Sequence, residues 1–135
     1  MTPRVVCDAS VVAALLLDSG SDGQWATDRI AGADLFAPTL LQYECANVVR
    51  RLEISHSISA DQAAQAHADL LDLEFSLWPY ELLAARAWQL RANLSAYDAS
   101  YVALAELLGD PLLTLDERIR RAPGLSCEVS TPQTG

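Results

Sequence analysis

Short apolar runs alternate along the chain with longer segments in which apolar residues recur every three or four positions, the patterns of strands and helices in turn. Val5-Val6-Cys7 predicts a short buried strand, followed at once by a helix from about Ala9 to Asp18. Gly20 to Gly32 reads as a weaker, polar helix and Asp34 to Ala37 as a second strand. Pro38-Thr39 predicts the start of a long helix to about Ser55, with Leu41, Cys45, Val48 and Leu52 at helical spacing. Ser59 to Gln62 has the form of a capping box ahead of an alanine-rich helix through Leu73. Phe75 to Pro79 predicts a third strand and Tyr80 to Asn93 a helix. Asp98 opens an apolar helix that Gly109-Asp110-Pro111 stops. Leu112 to Thr114 is a fourth strand, Glu117 to Arg121 a short helix and Cys127 to Val129 a fifth, edge strand. From about residue 130 the polar end of the chain reads as a disordered tail.

Strands this short and apolar, each followed by a helix, imply the α/β class, with a parallel sheet covered on both faces. A chain of 135 residues makes one domain, spanning 1–135. Its composition, 51% apolar and 20% charged, is that of a folded globular protein. The net charge is −9, and every one of the nine basic residues is Arg. Contact with nucleic acid therefore needs a local Arg patch or a bound metal ion. Three widely spaced cysteines without a CxxC argue against disulfide or zinc frameworks and for a reduced, cytoplasmic setting. The run Val11 to Leu17 lies between Asp8 and Asp18 and is too short for a membrane span.

Ligands of open parallel sheets gather beyond the carboxyl ends of the strands. Asp8 directly follows the first strand, and Asp116 lies just beyond the fourth. Asp98 begins the helix leading into that fourth strand, which starts on the same edge. Each of these aspartates also suits a helix N-cap, and one at a time that explanation suffices. Glu44 falls within the apolar stripe of its helix, three after Leu41 and four before Val48, where a carboxylate is costly unless paired or bound to a cation. Two carboxylates about 4 Å apart repel by roughly 4 kcal/mol at an effective dielectric near 20. A cluster of them persists by holding a divalent ion or by retaining protons. All-oxygen donors without His or Cys suit Mg²⁺ or Mn²⁺, which in such clusters promote hydrolysis of phosphate esters.

"VVCDAS", "LLQYECANVVRR", "AYDASYVALAE" and "LLTLDERIRR" occur in the order and spacing of the PIN-domain nucleases. The small size and the glutamate helix resemble the VapC-type ribonuclease toxins of toxin–antitoxin pairs. The resemblance runs to about Val129. It implies a three-layer α/β/α sandwich on a five-stranded parallel sheet. It also implies a Mg²⁺-dependent endoribonuclease acting on structured RNA such as tRNA or ribosomal RNA, with one or two ions, as a homodimer neutralised by a cognate antitoxin. By the same resemblance Asp8, Glu44, Asp98 and Asp116 form the acidic quartet, and Thr114 the hydroxyl that supports it. Ser10 either does likewise or helps to cap its helix, and Asn47 is a candidate to orient Glu44.

Arg50 and Arg51 after Glu44, and Arg118, Arg120 and Arg121 after Asp116, are candidates for RNA phosphates; a solvated face explains them equally well. Trp88 with Leu83 and Leu90 is either a partner surface or ordinary core. A receiver-type domain needs a lysine, which this chain lacks. A haloacid-dehalogenase-type phosphatase needs a second aspartate where Ser10 stands. The remaining alternative to an enzyme is a catalytically inactive PIN-like module kept for protein interaction.

Overall fold

The structure is a computed structural model describing residues 2–134. Its strands are β1 (Arg4–Cys7), β2 (Asp34–Pro38), β3 (Phe75–Trp78), β4 (Leu112–Leu113) and β5 (Val129–Ser130). They form one sheet in the order β3-β2-β1-β4-β5, and every neighbouring pair is parallel. Parallel neighbours cannot be joined by a tight hairpin, so helices return the chain between strands. These are α1 (Ala9–Leu17), α2 (Ser21–Ile30), α3 (Leu41–Ile54), α4 (Ala60–Asp72), α5 (Ala84–Gln89), α6 (Ala96–Leu108) and α7 (Glu117–Arg121). The expected three-layer α/β/α sandwich with five parallel strands is what forms. One layer has α6 against β1, β2 and β4 with α5 alongside; the other is α1 packed with α2, α3 and α4.

The apolar strands end up where their composition demands. Val6 and Cys7 in the central strand β1, and Leu112 and Leu113 in its neighbour β4, are fully buried. In α6 seven consecutive residues, Ala99 to Ala105, are buried, which accounts for a helix apolar on almost every side. It ends at Gly109, whose φ of 70° is the left-handed conformation that a glycine adopts without a Cβ penalty.

Several boundaries differ from expectation. Pro38 closes β2, in register with Trp78, and α3 starts only at Leu41; a residue preceding proline favours extended backbone, so Ala37 continues the strand. The helix expected over Tyr80 to Asn93 divides into a 3-10 turn, Tyr80–Leu82, and the short α5. Leu83 and Leu90 are core residues, whereas Trp88 is 64% exposed under the Arg91 guanidinium, so they form no common surface. The edge strand, expected over Cys127 to Val129, starts two residues later and ends one later, at Val129–Ser130. The expected tail is ordered as far as it is described: Thr131 is fully buried, its hydroxyl donates to Glu117 (2.7 Å), and its N–H donates to Thr134 (2.9 Å).

Candidate active site

The order of strands reverses between β1 and β4, and the crevice beyond their carboxyl ends is where such a sheet leaves room for a ligand. Asp8, Glu44, Asp98 and Asp116 line one cavity of about 170 Å³ there, with Ala9, Ser10 and Tyr101. Each comes from a different element. Asp8 directly follows β1 and is the N-cap of α1, so its backbone is set by a strand on one side and a helix on the other. Asp116 is the N-cap of α7, accepting from the Arg118 N–H at 2.9 Å. Glu44 sits in the first turn of α3.

Asp98 is placed differently from expectation. Ser95, not Asp98, caps α6: its hydroxyl accepts from the Asp98 N–H at 3.1 Å. The aspartate therefore lies within the first turn, its carboxylate free of capping and facing the cavity. The pattern Ser95-x-x-Asp98 before an apolar run is itself a helix-start signature, and it locates the cap.

Asp8 is only 6% exposed and is fully bonded. Its Oδ1 accepts from the N–H groups of Ser10 (3.0 Å) and Val11 (3.2 Å) and from the Ser10 hydroxyl; its Oδ2 accepts from the Thr114 hydroxyl. Ser10 also accepts from the Leu115 N–H (3.1 Å), and Thr114 from the Asp116 N–H (3.0 Å). Both hydroxyls thus tie the β1 end to the β4 end. Burial pushes the Asp8 carboxyl up to about 6, against those hydrogen bonds and with a smaller push from the charge of Asp98. Glu44 and Asp98 are raised as well, each first by burial and then by a neighbouring carboxylate, Asp98 and Asp116 respectively. Asp116 is instead held low, because the Arg118 guanidinium binds it at 2.8 and 3.1 Å.

Tyr101, buried at 1% exposure, donates its hydroxyl to Glu44 at 2.7 Å. Asn47, the candidate for this orienting role from the sequence, is exposed and has no hydrogen bond to Glu44. The signal in the sequence is Tyr101 itself, a polar-tipped side chain in a largely apolar stretch, one turn after Asp98. Among the described residues no three His, Cys, Asp or Glu side chains are yet close enough to share one ion. Two of the four carboxylates are turned toward partners of their own, Asp116 toward Arg118 and Glu44 toward Tyr101.

A family model described as "PIN domain" matches residues 5–125. The chain belongs to the PIN domain family. Relatives among the VapC ribonucleases are similar to this PIN domain over nearly its whole length. Ribonuclease VapC9 of Mycobacterium tuberculosis is 40% identical over 126 residues, covering 93% of this chain and 96% of that protein. Ribonuclease VapC1 of the same organism is 39% identical over 125 residues, covering 92% and 94%. Among solved structures, the Mycobacterium tuberculosis toxin VapC20, described as cleaving the sarcin-ricin loop, superposes with a TM-score of 0.65 at 17% identity. That match covers 85% of this chain and 92% of the other.

The arginines of this PIN domain do not all surround its carboxylates. Arg118 borders an adjoining cavity of about 390 Å³ that also includes Asp98 and Asp116. Arg121 is exposed nearby and helps to hold Asp116 low. Arg120 is paired with Glu117 at 2.7 Å. Arg50 and Arg51 are exposed on α3, about 9 Å or more along its axis from Glu44, and neither lines the cavity. No helix among the described residues is long and apolar enough to cross a membrane.

Proposed function

We propose that this PIN domain is a divalent-metal-dependent endoribonuclease, the toxin of a toxin–antitoxin pair, and that Asp8, Glu44, Asp98 and Asp116 are its catalytic residues. The observation that carries the reading is the gathering of four carboxylates from four elements around one small cavity at the switch point of the sheet. The 39–40% identity to proteins named ribonucleases supports the same substrate class.

The donor set fits a hard cation: four carboxylates, no imidazole or thiolate, and a cavity large enough for an ion with its waters. Three of the four are raised by burial and by one another, so positive charge among them relieves a cost that the fold otherwise carries. Asp8, Asp98 and Asp116 would hold one or two Mg²⁺ or Mn²⁺ ions, with Glu44 as a further ligand or as the base that orients water. Bound there, an ion polarises the phosphodiester and acidifies the attacking water. The residues do the rest. Ser10 and Thr114 keep Asp8 from turning, Tyr101 keeps Glu44 aimed inward, and Arg118 leaves Asp116 to take a phosphate oxygen. Water oxygen bonds to phosphorus, the bond to the 3′ oxygen breaks, the water proton passes to Glu44 where it serves as the base or otherwise to solvent, and solvent protonates the leaving oxygen. The products are a 3′-hydroxyl and, on the downstream fragment, a 5′-phosphate. Structured RNA, such as tRNA or ribosomal RNA, is the substrate this reading favours. A homodimer and a neutralising antitoxin complete it.

Incubation with total RNA and Mg²⁺, followed by mapping of new 5′ ends, tests the reading. Defined cleavage that disappears in excess EDTA and in Asp98→Asn is expected. Mg²⁺ or Mn²⁺ should also raise the melting temperature, and Asp8→Ala should abolish that rise. Equal cleavage in EDTA overturns the mechanism, and no cleavage with no metal response leaves an interaction module.

A further inference from the structure

Beside the acidic cavity, on the same edge of the sheet, lies a second one of about 200 Å³ lined by Pro38, Thr39, Leu40, Tyr80, Ala96, Tyr97 and Ser100. It occupies the notch beyond the carboxyl ends of β2 and β3, as the acidic cavity does beyond β1 and β4. One or two strand spacings, roughly 5–10 Å, separate the two notches. The same helices build both. Tyr97 immediately precedes Asp98, Ser100 immediately precedes Tyr101, and Leu40 accepts the Glu44 N–H one helical turn away. We propose that this cavity is a nucleobase subsite, taking one unpaired base of the RNA next to the cleaved phosphate between the rings of Tyr80 and Tyr97.

Size, shape and charge select that occupant. The cavity falls below the roughly 300–1,000 Å³ of pockets that enclose drug-sized molecules, so it suits a single planar ring system. Its walls are mostly apolar, with hydroxyls of Thr39, Tyr80, Tyr97 and Ser100 as the only polar side-chain groups. No cation lines it, so it is not a seat for phosphate. Tyr80 and Tyr97 are 45% and 63% exposed, leaving faces on which a base stacks. Stacking on an aromatic ring adds affinity without cations, which matters in a chain of net charge −9. A base extruded into this notch leaves its own phosphate one strand spacing or so away, at the carboxylates. Recognition of unpaired, splayed-out bases is the usual route to sequence preference in RNA.

The inference rests on the ribonuclease reading, and the test separates the two. A hairpin RNA with a randomised loop is cleaved by the full chain in Mg²⁺, and the preferred loop is then remade with one abasic residue at each position in turn. In the unaltered protein, the abasic residue adjoining the cut should lower kcat/KM about tenfold. Tyr97→Ala should lower cleavage of the intact loop by a similar factor and show almost no further loss at that position. Tyr97→Phe should restore the loss. Because Tyr97 is exposed, melting curves should be unchanged; Tyr80→Leu provides an independent variant with the same expected pattern. Cleavage with an equal abasic penalty in all variants overturns the subsite and leaves the nuclease standing. A changed oligomeric state in Tyr97→Ala with an unchanged penalty overturns it in favour of a second copy at this notch. Absence of cleavage of any loop overturns both readings.

Discussion

Asp8 shows how a single buried carboxylate contributes to the pH response of the fold. The folded chain raises its carboxyl to about 6, mainly through burial, whereas an aspartate in the unfolded chain titrates near 3.9. Between about pH 4 and pH 6 the native state therefore binds more protons than the unfolded one. Stability then falls as pH rises through that window, on the order of 2–3 kcal/mol from Asp8. Glu44 and Asp98, also raised, act in the same direction. Asp116, held low by Arg118, and Glu106, held low by Arg86, act in the opposite sense, since their contributions are lost as pH falls below the ordinary carboxylate range. Urea unfolding in EDTA should show the metal-free protein losing stability from about pH 4 to pH 6, and Asp8→Asn should flatten the curve. An unaltered slope in that variant would remove Asp8 as the cause. Asp8 was legible in the sequence because an acid directly after a strand has few places to go. Tyr101 was not, because its function depends on a contact with α3, 57 positions away.

At the scale of elements, the strands and most helices could be read from periodicity, and what escaped was where neighbours meet. Leu112–Leu113, buried at both positions, is an apolar run that suits a covered parallel sheet, whereas Phe75–Trp78 at the sheet edge exposes Ser76 and half-buries its apolar residues. The break within Tyr80 to Asn93 is not visible in its composition, because Leu83 and Leu90 have to be buried while Trp88 faces out, a demand set by α6. Gly23 is a sharper case. In sequence it looks like a residue that merely weakens a polar helix. In the fold, α2 crosses α1 so closely that a Cβ at Gly23 would stand 1.7 Å from the Asp18 carbonyl oxygen and 3.0 Å from that of Ala14. Both are backbone atoms, so no rotamer change relieves the clash and α2 has to shift. Gly23→Ala should destabilise by about 3 kcal/mol, although alanine is intrinsically the better helix former. Thermal denaturation decides between the two: a raised melting temperature would show that the helices separate at little cost.

At the scale of the molecule, charge bears most directly on function. A nuclease has to bring a polyanion to a chain of net charge −9 whose only cations are nine arginines. Several of these are committed within the fold: Arg4 to Asp110, Arg86 to Glu106 and Arg120 to Glu117, while Arg91 covers Trp88. Arg29 is bonded to Ser130 and lies over Trp25, and Arg50 and Arg51 lie along α3 away from the carboxylates, which leaves Arg121 and Arg118, itself paired with Asp116, as the cations at the site. This division could not be read from the sequence, where all five candidate arginines follow Glu44 or Asp116 within two turns of helix. It has a measurable consequence. Each phosphate neutralised on single-stranded RNA contributes a slope of about −0.7 to log affinity against log salt concentration. Two such contacts predict a slope near −1.4, less than about a tenfold loss of affinity for a fourfold rise in salt. Affinity measured with Asp98→Asn in Mg²⁺ across a salt series should show this shallow dependence, and Arg118→Gln should reduce the slope by about half. Arg50→Gln should leave it unchanged. A much steeper slope, or one sensitive to Arg50, would mean that RNA lies along α3 rather than across the carboxyl edge of the sheet. A shallow slope that Arg118 controls would mean that metal charge and base stacking supply most of the affinity, and that the acidic surface serves to disfavour RNA bound anywhere else.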